Sequence, residues 1–344
     1  QGYSSAASDV YKRQMLSRLM AVDAYQKVYG KLPMNIKVVY EGEEEVGSPH
    51  LNGFPSLYPD KVAADGVVWE GGGRDTNGPA HITLGVKGLA YVELRVRTAN
   101  IDAHSSNAPI WKNAAWRLVW ALNTLKNEKD EVLIDGFYDD VAPLTEKDLA
   151  FLKSIPYNEK SVLEKMEMDG FVNGVTGTEL LKKLIYAPTC NICGIKSGYI
   201  DQGSKTVLPA YAMAKLDFRL VPNMTRERVV ELLRKHLDKH GFTDVEIVSM
   251  PGAPAYRTNL DNPLVKAAIA ASEETYQIPP AIYPNSSGTM GVYYFCHETG
   301  IPCVMYGVAN EFSQVHAPNE NIYVEDFLLG IKMTANVIDK FSKA

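Results

Sequence analysis

Four cysteines in 344 residues are too few for a disulfide framework. No apolar run approaches the ~18 residues that cross a bilayer, and no apolar signal-peptide core stands near the start. Cytoplasm is therefore the default expectation. No dense Lys/Arg stripe is present, and 35 basic against 41 acidic residues leave a formal charge of −6, so neither nucleic acid nor a membrane surface is expected as a partner. The helical zinc-protease pattern His-Glu-x-x-His is missing too. His236 and His240 are four apart, but Leu237 follows His236 on a Lys/Arg-rich helix, and both are expected on a solvated face. Cys190 and Cys193 form a Cys-x-x-Cys without the second half of a zinc site, and the surrounding PTCNICGI suits small buried hydrophobes in a strand. His50, His81 and His297 have no companions in sequence and are read as structural.

What the chain does contain is size and pattern. Hydrophobic content of 46% and charged content of 22% fit a globular protein of about two domains. Residues 1–13 are small, polar and without period, and read as a tag, linker or misassembled end. From Met15 the spacing of Leu16, Leu19, Met20, Val22 and Tyr25 predicts an amphipathic helix up to Gly30 and Pro33. Residues 36–40 (IKVVY) read as a buried strand, and 65–69 (DGVVW) as a second one ending at Glu70. From residue 82 the period becomes two, as in an antiparallel sheet. A helix at 113–126, short helices near 145–154, 159–167 and 177–185, strands at 189–195 and 210–220, a helix from Thr225 to Gly241 and a strand at 243–249 follow. The α/β pattern then returns with helices at 262–276, 290–298 and 324–341 and strands at 281–284 and 303–308. The expected fold is a split α/β domain of residues 1–78 and 253–344, built on a twisted, mostly parallel sheet flanked by helices. An α+β domain of residues 79–252 is inserted in it.

The chemistry gathers at the ends of short apolar strands. Glu41, Glu43, Glu44 and Glu45 crowd directly after residues 36–40, before the Gly47-Ser48-Pro49 turn. Carboxylates packed at the end of a buried strand repel one another, and a bound cation relieves the repulsion. A solvated acidic loop is the plain alternative for the same residues. In an open α/β sheet, ligands bind beyond the carboxyl ends of the strands. Glu44, Glu45, Glu70, Ser287 and His316 each follow such a strand, so they are expected to meet in one cleft. Carboxylates with one imidazole are ligands for Zn²⁺ or a similar ion. Neighbouring glutamates face different ways, so one can bind metal while the other orients a water, as metal-assisted hydrolysis requires.

With these residues in hand, the chain from about residue 15 onward resembles the dinuclear-zinc peptidases and amidohydrolases of the M20 family. EGEEEVGS resembles that family's Glu-Glu motif, which implies Glu44 as general base and Glu45 as metal ligand. Glu70 in VVWEGGG falls where an acid ligates the second metal, and His316 in HAPNE matches the terminal histidine ligand. The resemblance implies two zinc ions per subunit and a ferredoxin-like inserted domain serving as lid and homodimer contact. His104 in DAHSS matches a lid histidine that steadies the oxyanion in the partner subunit's site. Arg219 in FRLVPN and Ser287 in NSSGTM fall where the dipeptidase branch holds the substrate's carboxylate. Without the resemblance, His104 reads as a loop histidine and Arg219 as a strand-end ion-pair partner.

One family element has no counterpart. The His-x-Asp motif and the metal-bridging Asp precede the helix at Met15 in the family, whereas His236-Leu237-Asp238 is the one His-x-Asp here and lies on another element. The chain is thus expected to be truncated at its N-terminal side. The implied function is zinc-dependent hydrolysis of the amide bond of a dipeptide or N-acyl amino acid, impaired by the short ligand set. The alternatives are a non-catalytic binding dimer and an N-acyl-amino-acid deacylase of the same family.

Overall fold

The computed structural model describes residues 8–44, 48, 50–75, 78–315 and 317–344. In chain order the helices are α1 (Ser8–Tyr29), α2 (Phe54–Leu57), α3 (Pro59–Val62), α4 (Ala114–Asn123), α5 (Glu146–Ser154), α6 (Glu159–Lys165), α7 (Gly177–Tyr186), α8 (Arg226–Lys239), α9 (Pro263–Tyr276), α10 (Val292–Thr299) and α11 (Val324–Phe341). The strands are β1 (Val67–Trp69), β2 (His81–Thr83), β3 (Gly85–Val86), β4 (Gly88–Arg97), β5 (Ala103–His104), β6 (Asn191–Ser197), β7 (Val207–Leu208), β8 (Tyr211–Leu220), β9 (Glu246–Ala253), β10 (Tyr256–Arg257), β11 (Ala281–Tyr283) and β12 (Cys303–Met305). Among the described residues no helix is long and apolar enough to cross a membrane. The chain divides into two compact units: Gln1–Val86, Leu144–Tyr157 and Tyr256–Ala344 form the first, and Lys87–Pro143 with Asn158–Ala255 the second.

The first unit is an α/β layer around a sheet of order β1-β12-β2-β11. β1 runs parallel to β12, and β2 runs parallel to β11. The two pairs join in opposite directions where Met305 faces Thr83. Ile82, Leu84, Val304 and Tyr306 pack with Leu264, Val265 and Ala268 of α9 and with Met333 and Val337 of α11. Residues 79–86 and α5, expected in the inserted segment, cluster with this unit. A capping box of Thr145 and Asp148 starts α5, Leu152 is buried, and Asp148 reaches Arg257 at 3.5 Å.

Three expectations for this unit change. α1 begins at Ser8, seven residues before Met15. Its buried face is Gln14, Ser17, Ala21 and Tyr25, while Leu16, Leu19 and Met20 are exposed. Small and polar residues at i, i+3 and i+4 spacing let α1 approach closely: Ser17 lies 3.9 Å from where a side chain on Gly330 of α11 would begin. Residues 36–40 are not a strand, and Val38, Val39 and Tyr40 are exposed. Lys37 donates to the Asp60 and Ala63 carbonyls, but no backbone ladder forms along 36–40 among the described residues. A β-branched run becomes a strand only where a neighbour completes its backbone hydrogen bonds.

The second unit is an antiparallel sheet of order β6-β8-β4-β9. Its element order β4-α4-β6-β8-α8-β9 with that strand order is ferredoxin-like. Alternation works as expected here: Ala90, Val92, Leu94 and Val96 of β4 and Ala212, Ala214, Leu216, Phe218 and Leu220 of β8 are fully buried with Leu118 of α4 and Leu233 and Leu237 of α8. Asn113 caps α4 through Ala115 N and Trp116 N, and Thr225 caps α8 through Arg228 N. Two residues depart from expectation. His236 is buried, not solvated, and its Nε2 meets Thr124 Oγ1 at 3.1 Å. Cys190 is buried as expected, but Cys193 is exposed, because β6 is an edge strand.

Candidate active site

In the first unit, three segments are drawn to one place by residues that need no side chain. After β1, Glu70 is followed by Gly71 and Gly72 at φ 110° and 80°, conformations that glycine alone adopts readily. Gly73 then pairs with Ala309 so closely that any side chain would strike the Ala309 carbonyl. Two polar residues on α1 hold this crossing. Arg18 donates to the Trp69 carbonyl at 2.6 Å and to the Tyr306 carbonyl at 2.9 Å, which fastens the ends of β1 and β12 together. Gln14 accepts from Gly71 N at 2.8 Å. Arg18 also stands within electrostatic reach of Glu70, and burial lowers its pKa. Nothing in the sequence reading marks Gln14 or Arg18. Their signal is two polar residues four apart on one helix face.

The described residues of the acidic segment are held by hydrogen bonds. Ser48 N donates to the Glu43 carbonyl at 2.9 Å, and Ser48 Oγ donates to Glu41 at 2.9 Å. Glu43 meets His50 Nδ1 at 2.7 Å, which gives His50 the companion it lacks in the sequence. Glu44, the next residue, is half-buried. The loop packs on the start of α10: Leu51, Ser48 and Glu41 lie 2.8, 3.3 and 3.6 Å from the point where a side chain on Gly291 would begin. Met290 in turn stands 3.5 Å from the same point on Gly71. The Glu44 loop, the turn after Glu70 and the 285–291 segment therefore meet around Met290 and Gly291.

Ser287 follows β11. β11 runs opposite to β1 and β12, so strand ends alone do not bring Ser287 towards Glu70. The chain turns back through 285–291, where Met290 comes beside Gly71 and Ser287 itself is exposed. Glu45 and His316 lie outside the described residues. The loop around His316 is tied down on both sides: Asn310 donates to Asp326 at 2.8 Å, Asp326 pairs with Arg74 at 2.7 Å, and Asn321 N donates to the Ser313 carbonyl at 3.0 Å. Arg74 follows Gly73, so this network links the loop to the turn carrying Glu70.

The second unit presents its own polar residues. His104 is exposed at the end of β5, beside a cavity of about 660 Å³ that is also lined by Asp102, Trp111 and Leu208. Its Nδ1 accepts from Ser106 N at 3.2 Å, so the proton sits on Nε2, 3.2 Å from Thr206 Oγ1. Arg219, at the end of β8, has its Nε 3.4 Å from Asp217. Lys87 is buried just before β4, and burial first and Arg219 second lower its pKa to about 8. Burial lifts the Cys190 thiol to about 12, which keeps it protonated and a poor metal ligand at neutral pH.

Among the described residues no group of three or more His, Cys, Asp or Glu side chains is placed to hold a metal ion. Of the three expected ligands only Glu70 is described, so the described side chains alone do not make a metal site, although carboxylates and imidazole are suitable donors for zinc.

Comparison with known proteins resolves the class. The description "Peptidase family M20/M25/M40" matches residues 6–340. The crystal structure of Sso-CP2, an M20 family metallo-carboxypeptidase from Sulfolobus solfataricus, superposes with a TM-score of 0.91 at 37% identity, over 98% of this chain and 77% of that one. The human Beta-Ala-His dipeptidase is 28% identical over 346 residues, covering 97% of this chain and 67% of that protein. The Cys-Gly metallodipeptidase DUG1 of Saccharomyces cerevisiae is 25% identical over 360 residues, 96% of this chain and 70% of that protein. An α/β sheet with acidic loops at its edge, in this company, defines a metal-dependent hydrolase of peptide bonds. The chain belongs to peptidase family M20/M25/M40.

Proposed function

We propose that the chain hydrolyses the amide bond of a dipeptide or an N-acyl amino acid, with zinc as its metal. The observation that carries the reading is the M20 match over residues 6–340, on a unit whose Glu44 loop and Glu70 turn meet around Met290 and Gly291. Dipeptidases among the relatives support the small-peptide substrate. In this reading Glu45 and His316 hold one ion and Glu70 the other. The chemistry such ions supply when bound is an acidified water and a polarised carbonyl. Glu44 accepts the water's proton and passes it to the leaving amine. His104, in its Nε2–H form, donates a hydrogen bond to the oxyanion in the partner subunit's site. Arg219 and Ser287 receive the substrate's carboxylate.

The homodimer forms through the second unit, where Trp111, Trp116 and Trp120 are each more than half exposed and Trp116 stacks on Trp120 at 5.9 Å. All four thiols are free, which supports the cytoplasmic reading. The test is zinc content after dialysis, together with hydrolysis of a panel of dipeptides and N-acyl amino acids by the wild type and Glu44→Gln. Glu44→Gln is expected to keep the metal and lose about 10²–10⁴-fold in rate. Equal rates in the two proteins remove Glu44 as the base. A fold that binds peptide but neither zinc nor turns it over favours the binding-dimer reading instead.

A further inference from the structure

The sheet of the second unit has one face sealed by α4 and α8 and another that carries its polar side chains. Even-numbered residues of β4 and β8 enter the sealed core. Strand alternation places the odd-numbered set, including Tyr91, Glu93, Asp217 and Arg219, on the opposite face. Lys87 precedes β4 in that same odd phase. Gly88 pairs with Leu220 and Leu89 with Arg219, so Lys87 and Arg219 are diagonal neighbours at one end of the face. Long side chains reach one another at that offset.

Lys87 is 2% exposed, a rare environment for a lysine. Its Nζ donates to the Ala187 carbonyl at 2.7 Å. Ala187 ends α7 and opens a short link to β6. Within that link Thr189 N donates to the Arg219 carbonyl at 3.1 Å, and Arg219 N donates to Thr189 Oγ1 at 3.0 Å. Three residues therefore connect the Lys87 ammonium to both backbone groups of Arg219. The buried ammonium and the guanidinium are also near enough for Arg219 to depress the Lys87 pKa. Two cations so close raise each other's energy, and an arriving anion is stabilised by both.

We propose that Lys87 is a positioning residue for Arg219: it fixes the 187–189 link against the end of β8 and adds its charge to the guanidinium's, so that the pair selects ligands ending in a carboxylate. The inference rests on the reading in which Arg219 meets the substrate's carboxylate. A merely structural lysine would serve as a strut for the Ala187 carbonyl. A glutamine amide can donate that same hydrogen bond without the charge, and an arginine can keep both.

The test measures binding, so it does not depend on turnover. Alanylglycine and alanylglycinamide are titrated against the zinc-supplemented full chain, and the ratio of their affinities is the readout. At pH 7 the wild type is expected to favour the acid, Lys87→Gln to lose about tenfold of that preference, and Lys87→Arg to keep it within about threefold. Arg219 is the charged group that acts on Lys87, and Arg219 in turn pairs with Asp217 at 3.4 Å. The wild-type preference should therefore fall between pH 7 and 9 as the ammonium deprotonates, while Lys87→Arg should stay flat. Arg219→Gln separates the two readings. If it leaves the preference intact, the role given to Arg219 is wrong. If Arg219→Gln abolishes the preference while a folded Lys87→Gln retains it, Lys87 is only a strut. A wild type without preference overturns both.

Discussion

The two four-stranded sheets of this molecule solve different problems. β4 and β8 are ten residues each, pair along their full length, and bury every second side chain against helices. β1, β11 and β12 are three residues each, and their loops are held by polar side chains and glycines rather than by a ladder. A long regular sheet distributes its stability over many apolar contacts, so that no single polar group is indispensable. A sheet of short strands leaves most of its backbone in loops, and placing those loops then falls to a few hydrogen bonds. That is the arrangement in which acidic side chains can be presented at an edge instead of being buried.

The largest effect that tests this contrast is in the regular sheet. Phe218 is fully buried within the second unit's core, and Phe218→Ala removes it at a cost of about 3–5 kcal/mol. Denaturant melts should show the loss, and amide exchange should rise across β4, β6, β8 and β9 together. Exchange confined to β8 would show that the sheet is less cooperative than its pairing implies.

The counterpart in the first unit is smaller and local. Arg18→Met removes two charge-assisted hydrogen bonds to the Trp69 and Tyr306 carbonyls, an expected loss of about 2–3 kcal/mol. Exchange should rise at residues 69–73 and 306–309 and leave the second unit unchanged. If protection at those residues survives the substitution, the strand ends are held by something other than Arg18.

The same contrast explains what could be read from the sequence. Period-two alternation in residues 88–97 and 211–220 is dictated by burial on one face, and the structure follows it. The apolar residues of α1 misdirect, because contact is made by Gln14, Ser17 and Ala21, whose size matters more than their hydrophobicity. Residues 36–40 have strand composition but no ladder partner, and composition cannot report a partner. α5 lies in a charged, Pro-punctuated stretch whose sequence gives no sign that Leu152 and Phe151 belong to the first unit's core. At the candidate site, the sequence shows acids crowded after residues 36–40 and three glycines after Glu70. Arg18, which joins the ends of β1 and β12, carries no such mark, because its partners are backbone carbonyls that any sequence would offer.

The smallest effect expected is one of pH, and it falls on a residue the sequence placed in water. His236 is buried on α8, with its Nε2 on Thr124 Oγ1 and its ring 4.4 Å from that of His240. Burial, then the neighbouring His240, lower its pKa below the ordinary histidine value, with Asp135 acting in the opposite sense. Between the lowered folded value and the ordinary unfolded one, the unfolded chain binds more protons, so stability rises with pH through that window. Lowering the pH from neutral towards that value should therefore reduce the melting temperature of the second unit. His236→Gln, which can still bond Thr124 but cannot take a proton, should flatten that part of the profile. An equally steep decline in the variant would assign the acid sensitivity to other groups and return His236 to an ordinary core position.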